Sequence, residues 1–199
     1  MYELKDYLNN INHLKNNVMD GDDEFWEKKY PAYIINKCLS AKASLEQLNS
    51  DIKINVIQKR LELDDYLALI KPLDIVLDCT DNLDSRNTLN QACYQSGTSL
   101  ISGAAIRMEG QIMCIVPLQN SACYACISAY FGEQNLSCVE AGVMSPVVGI
   151  IGAMQALEAI KVLCDFGKNN ANKLMMFDAM TSDWRSFTVP KKSNCPVCN

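Results

Sequence analysis

Short apolar runs separated by polar turns fill most of the chain beyond residue 30. Apolar side chains recur at helical spacing across 32–48, and a second, shorter helix is expected over 64–70. The run at 74–79 is apolar between polar flanks, which is typical of a buried parallel strand. Alternation with polar neighbours predicts a further strand at Ile52, Ile54 and Val56.

Turn and cap residues divide the middle of the chain. The polar turn at 80–84 is a natural helix start, with Asp81 or Asp84 as the N-cap, and Gly97 is suited to end a helix over 85–96. Short apolar runs predict another strand at 99–102 and further strands of antiparallel character at 110–117 and 174–189. The pattern therefore predicts an α/β fold with a mainly parallel sheet and additional antiparallel strands.

The longest apolar stretch spans 143–166. It also carries polar and helix-restricting residues, namely Pro146, Gln155, Glu158 and Lys161. A membrane span is therefore not expected, and the stretch is interpreted as a buried core helix. Small residues along it would allow close packing against a neighbour: Gly149, Gly152, Ala153 and Ala156.

The first part of the chain differs in character from the rest. Residues 1–29 are polar, with no clean apolar period, so weak helices or partial disorder are expected there. We divide the chain into a divergent segment at 1–39 and an α/β domain at 40–199.

Residues 1–17 lack the apolar core of a signal peptide, so a cytoplasmic protein is expected. The net charge of −5 without a basic cluster argues against nucleic-acid binding.

Four of the ten cysteines form two C-x-x-C units, Cys123 with Cys126 and Cys195 with Cys198. Each unit places two thiolates on one tight turn, and two such turns complete a tetrahedron around Zn²⁺. The alternative is two unrelated units, one of them redox-active. Four thiolate ligands leave no open position for a substrate, so the predicted zinc is structural and holds a C-terminal lobe.

Several motifs, in order along the chain, resemble those of the MoeB/ThiF/HesA family of adenylyltransferases. They are DIVLDCTDN at 74–82, SGAAIRMEGQ at 102–111, CYAC at 123–126, SCVEAGVMSP at 137–146, QALEAIK at 155–161, FDAM at 177–180 and CPVC at 195–198. The match covers about 40–198. It implies a Rossmann-like domain that activates the C-terminal glycine of a ubiquitin-like sulfur carrier with ATP and Mg²⁺. Such carriers serve molybdopterin or thiamine biosynthesis, and family members pair as dimers.

The resemblance also implies roles for individual residues. Asp81 would face Mg²⁺ and ATP as the catalytic carboxylate, and Lys42 would contact the phosphates. Asn82 and Arg86 are further candidates for nucleotide binding. The alternatives are that Asp81 caps a helix and that Lys42 and Arg86 are solvated helix residues.

Cys138 is the remaining catalytic candidate, because related proteins use a cysteine at the matching place to form a thioester or acyl-disulfide with the carrier. Most of the six cysteines outside the two C-x-x-C units are expected to be buried, apolar groups: Cys38, Cys79, Cys93, Cys114, Cys138 and Cys164.

One element of the family is missing from these residues. Family members begin with a strand, a Gly-rich turn and a helix that cradle the ATP phosphates, whereas no G-x-G-x-x-G occurs here. The sequence therefore predicts an N-terminally truncated Rossmann-like sheet with an incomplete ATP site. The alternatives to an active adenylyltransferase are a non-catalytic carrier-binding module and an inactive family member.

Overall fold

The structure is a computed structural model that describes residues 37–128 and 142–199. The chain divides into two units between Arg60 and Leu61. The predicted segments 1–30 and 32–36, and Cys138, lie outside the described residues.

In the first unit the described chain forms one helix, α1, at Lys37–Leu48. The strand predicted at 52–56 is wrong, because the segment after α1 has no regular secondary structure. A strand is defined by its hydrogen-bonded neighbour, and no described residue pairs with this segment. Ile52 and Ile57 are consequently exposed.

The second unit contains four helices and five strands among its described residues. In chain order these are α2 (Leu63–Ile70), β1 (Ile75–Asp78), α3 (Leu83–Ser96), β2 (Ser99–Ile106), β3 (Glu109–Ile115), a 3₁₀ turn (Pro117–Gln119), α4 (Tyr124–Ser128), α5 (Ser145–Leu163), β4 (Lys173–Asp178) and β5 (Asp183–Thr188). Gly97 ends α3 with φ 71°, in the left-handed conformation that glycine adopts without strain, as predicted.

The five strands form one mixed sheet in the order β1-β2-β3-β4-β5. Only β1 and β2 are parallel, joined by the crossover helix α3, and the other three pairs are antiparallel. The prediction of a mainly parallel sheet is therefore wrong for the described strands. The physical reason is loop length: two residues join β2 to β3 and four join β4 to β5, and such short connections allow only antiparallel pairing.

Alternate residues of the sheet build two hydrophobic clusters. Leu100, Met113 and Ile115 face α2, α3 and the four predicted metal ligands. Ile101, Ile112 and Cys114 face the opposite side, where they pack against α5. This alternation follows from the two-residue period of a strand, and it places α3 and α5 on opposite faces of the sheet.

Helix α5 is buried on one face only, which corrects the prediction of a buried core helix. Val147 and Ile151 are 1% and 3% exposed, whereas Val148, Ile160 and Leu163 on the outer face are 48–50% exposed. Apart from the adjacent residues and backbone of α5 itself, no described atom lies within 4 Å of where a Cβ would lie on Gly149 or Gly152. Nothing described covers this outer face.

The length and mean hydropathy of α5, 19 residues and 1.5, would also suit a membrane span. This is weak evidence, because the core helix of a globular protein has the same character. The face of α5 against the sheet carries the buried polar residues Gln155 and Glu158.

Candidate functional site

The two C-x-x-C units meet in one buried cluster. The four sulfur atoms lie within 4.8 Å of one another, with Sγ distances of 3.6 Å from Cys123 to Cys195 and 3.4 Å from Cys126 to Cys198. Sulfur atoms at the corners of a tetrahedron around Zn²⁺ would be about 3.8 Å apart, from a Zn–S distance of about 2.3 Å. The cluster could hold a metal ion of this size. The alternative of two unrelated units is therefore wrong.

Hydrogen bonds hold the first C-x-x-C turn in place. Cys126 lies in α4, its backbone N–H donates to the Cys123 carbonyl, and its Sγ accepts from the Lys192 N–H at 3.5 Å. Asn90 of α3 fixes the first turn by accepting from the Tyr124 N–H at 2.9 Å. Asn90 was not expected to act here, since its position on α3 gives no sequence signal for this contact.

Burial opposes negative charge on this cluster in the absence of a cation. Burial raises the pKa of the Cys123 thiol to about 11. Burial would also raise the pKa of Cys195, but hydrogen bonds from the backbone N–H groups of Cys198 and Val197 bring it to about 7. Four buried thiolates repel one another, so an all-thiolate cluster requires a bound cation.

The second candidate site lies at the carboxyl end of β1. Ligands of open α/β sheets bind at this end of parallel strands. Asp81 follows β1 on an exposed loop, and its carboxylate accepts a hydrogen bond from the Asn82 Nδ2 group at 3.4 Å. A carboxylate oxygen presented in this way suits Mg²⁺.

The N-cap of α3 is Asn82, whose Oδ1 accepts from the Ser85 N–H at 2.9 Å. The prediction that Asp81 or Asp84 caps this helix is therefore wrong. An asparagine side chain reaches the same backbone donor without a charge. The Asp81 carboxylate therefore does not cap α3.

Arg86 is buried, at 5% exposure, so its interpretation as a solvated helix residue is wrong. Its guanidinium contacts Asp78 and two backbone carbonyl groups, those of Thr80 and Gly103. Asp78, which was not singled out from the sequence, is fully buried. The sequence feature that could have identified Asp78 is the presence of an acidic residue inside an otherwise apolar strand.

Lys42 lies on α1 in the first unit, where it pairs with Glu46 at 3.5 Å. Its role, like that of Asn82 and Arg86 in nucleotide binding, stays a prediction.

The cysteines outside the cluster divide into two groups. Cys93 and Cys114 are buried, and burial raises the pKa of both thiols to about 12. Cys38, Cys79 and Cys164 are exposed, so the expectation of mostly buried cysteines is wrong for the described residues. Burial and the neighbouring Asp78 raise the pKa of Cys79, which makes it a poor nucleophile.

Comparison with known proteins shows one consistent relationship. A model of the ThiF family matches residues 32–197. Molybdopterin-synthase adenylyltransferase of Escherichia coli (strain K12) is 46% identical over 162 residues, which are 81% of this chain and 65% of that protein. Sulfur carrier protein ThiS adenylyltransferase of the same organism is 41% identical over 154 residues, 77% of this chain and 61% of that protein.

The fold has solved counterparts. The crystal structure of E. coli MccB with ATP has a TM-score of 0.66 and 22% identity, over 82% of this chain and 51% of that chain. At this identity the likeness concerns the fold alone. The chain spans 65% or less of the length of the two curated relatives above.

Proposed function

Because the chain belongs to the ThiF family, we propose that it activates the C-terminal glycine of a ubiquitin-like sulfur carrier by adenylyl transfer from ATP, with Mg²⁺. The observation that carries this proposal is the 46% identity to a molybdopterin-synthase adenylyltransferase over 162 residues. The names of the relatives favour a carrier that serves molybdopterin synthase or a carrier of the ThiS type. The cytoplasmic location expected from the sequence remains part of the proposal.

The proposed reaction makes limited demands on the protein. The carrier carboxylate is the nucleophile, it attacks the α-phosphorus of ATP, and pyrophosphate leaves as the acyl-adenylate forms. No strong base is needed, so catalysis rests on positioning and on neutralising phosphate charge. Mg²⁺ would supply part of that neutralisation.

We assign the roles as follows. The exposed Asp81 carboxylate would hold Mg²⁺ beside the phosphates, and the exposed Asn82 would line the same site. Lys42 would contribute a cation to the phosphates, and Cys138 is retained as a candidate thiol for carrier transfer. The four clustered cysteines would hold a structural Zn²⁺ that fixes the end of the chain against α3 and α4.

Loss of the Asp81 carboxylate is expected to abolish most of the activity. In an ATP–pyrophosphate exchange assay with a molybdopterin-type or ThiS-type carrier, Asp81→Ala should lower the rate roughly 100-fold or more, because a charge-stabilising group is removed. The matched control is Asp84→Ala, an exposed carboxylate three residues further along, which should retain the exchange rate. Equal rates in both variants would contradict the assigned site.

The 199-residue chain alone is expected to bind ATP weakly. Tight triphosphate binding in this architecture uses backbone N–H groups at a Gly-rich helix start, and these residues contain no such motif. Calorimetry should detect carrier binding and little ATP binding. Tight Mg²⁺-dependent ATP binding that Asp81→Ala removes would contradict this. Carrier binding without any exchange activity would favour the second candidate function, a carrier-binding module.

A second copy of the chain is proposed to cover the outer face of α5. That face is apolar, and two-fold pairing lets a single surface cover itself. Sedimentation should show a dimer at micromolar concentration, and Ile160→Glu should shift it to monomer. Leu118→Glu, at an apolar residue that is 88% exposed on the 3₁₀ turn, is the control. A wild-type monomer at these concentrations would refute the pairing.

A further inference from the structure

A buried ion pair lies next to the loop that carries Asp81. Asp78 ends β1 and Arg86 lies near the start of α3, with Arg86 Nε 3.3 Å from Asp78 Oδ2. The Nε–H group makes no hydrogen bond among the described residues, so this contact is purely an ion pair. Desolvating two charges costs about as much as their attraction returns, so the pair gives little net stability. Its other hydrogen bonds indicate that the pair orders the neighbouring loop.

Both charged groups hold the same residue, Thr80. Asp78 Oδ1 accepts from the Thr80 backbone N–H at 2.9 Å and from the Thr80 hydroxyl at 2.6 Å. Arg86 Nη2 donates to the Thr80 carbonyl oxygen. Every polar group of Thr80 is therefore bound to one member of the ion pair.

Asp81 is thus fixed from both sides. Thr80 precedes it, and Asn82 follows it as the N-cap of α3. The backbone on either side has defined partners, whereas the Asp81 side chain is exposed at the end of β1. An exposed carboxylate on a fixed backbone has fewer orientations to lose when it binds a cation.

The ion pair is itself supported by neighbouring elements. Ser102 Oγ donates to Asp78 Oδ2 at 2.8 Å, and Gln155 Nε2 of α5 donates to the Asp78 carbonyl at 2.9 Å. Gln155 reaches this position because residue 103 is glycine: a Cβ there would lie 2.2 Å from its side chain. The Arg86 guanidinium carbon also lies 5.4 Å from the Tyr124 ring centroid.

We infer that Asp78 and Arg86 are positioning residues, which hold Thr80 so that the Asp81 carboxylate is presented at the end of β1. Both side chains are buried, so they act through Thr80 and Asp81 and not by direct contact with a ligand. This assigns Arg86 a role through Asp81 in place of direct nucleotide contact. What Asp81 binds rests on the proposed function, whereas the fixing of the loop does not depend on it.

The test separates loop order from global stability. Arg86→Lys keeps the charge beside Asp78 but cannot bridge Asp78 and the Thr80 carbonyl with one planar fork. Hydrogen exchange at the amides of 80–82 should become roughly 10-fold faster or more, because a charge-assisted bond is lost. Exchange at Leu100 and Ile101 in β2 should not change. Asn87→Ala, an exposed neighbour on α3, should alter neither region.

A double variant tests whether global destabilisation could explain faster exchange in the loop. Asp78→Asn with Arg86→Met removes both charges, so no unpaired charge is left buried. Its β2 exchange should match that of wild type while its loop exchange stays fast. Loop exchange at the wild-type rate in both variants would overturn the inference.

Pyrophosphate exchange distinguishes this inference from the proposed function. Arg86→Lys should lower kcat roughly 10- to 100-fold at an unchanged KM for the carrier, because the carboxylate is misplaced rather than lost. If Asp81→Ala abolishes exchange and Arg86→Lys does not lower it, the positioning role is wrong. If the wild-type chain shows no exchange with either carrier while Arg86→Lys loosens the loop, the positioning of Asp81 stands and the proposed function fails.

Discussion

Replacing Cys195 and Cys198 by serine will prevent the second unit from folding stably. The four sulfur atoms are buried in one cluster that packs with α3 and α4, so a metal held there contributes directly to folding. Structural zinc sites contribute about 10–16 kcal/mol in small domains, whereas whole domains are stable by about 5–15 kcal/mol. Circular dichroism should show loss of the cooperative transition, and elemental analysis should fall from one Zn²⁺ per chain to none.

The matched control removes two cysteines outside the cluster. Cys38→Ser with Cys164→Ser changes two exposed thiols and should leave one metal ion per chain and the melting transition unchanged. Purified wild-type protein without bound metal would contradict the structural-zinc account, as would a stable fold in the Cys195→Ser, Cys198→Ser variant.

Loss of the Glu158 carboxylate is expected to be the next largest effect on stability. Glu158 is 1% exposed, pairs with Lys161, and accepts from the Asn170 backbone N–H at 3.0 Å and side chain at 2.7 Å. It thereby ties α5 to the loop that leads into β4. Glu158→Ala leaves these donors without their carboxylate and should cost about 3–5 kcal/mol, measurable by urea unfolding.

Glu46→Ala is the comparison for this variant. It breaks a Glu–Lys pair on a helix too, but the side chains of Glu46 and Lys42 are 48% and 37% exposed. Exposed pairs of this spacing contribute about 0.3–0.5 kcal/mol. Similar losses in the two variants would mean that the burial of Glu158 is not what makes it important.

The sequence predicted the parts of the molecule that depend on local chemistry. Cys123, Cys126, Cys195 and Cys198 were predictable because C-x-x-C spacing constrains where two thiols point. The run at 74–79 identified β1, since a short apolar segment between polar flanks suits a buried strand. Gly97 marked the end of α3 through its left-handed conformation. The position of Asp81 just beyond β1 was predictable because it follows that apolar run in the sequence.

What the sequence missed depends on contacts between distant segments. Antiparallel strands were predicted at 110–117 and 174–189, but apolar patterns did not show that antiparallel pairs would outnumber the parallel pair in this sheet. The apolar residues on the outer face of α5 were predicted to be buried, but they are exposed. Apolar composition alone does not determine which segments pack against a helix. Asp78 and Arg86 meet only after α3 packs on the sheet, and Gln155 joins them from a helix on the opposite face.

The most direct measurement is the intact mass of the carrier after incubation with the chain, millimolar ATP and Mg²⁺. We expect a carrier population heavier by one AMP group, formed by the wild-type chain and by Asp84→Ala but not by Asp81→Ala. A carrier lacking its C-terminal glycine should gain nothing. Unmodified carrier of both the molybdopterin and the ThiS type in the presence of the wild-type chain would contradict the proposed adenylyl transfer.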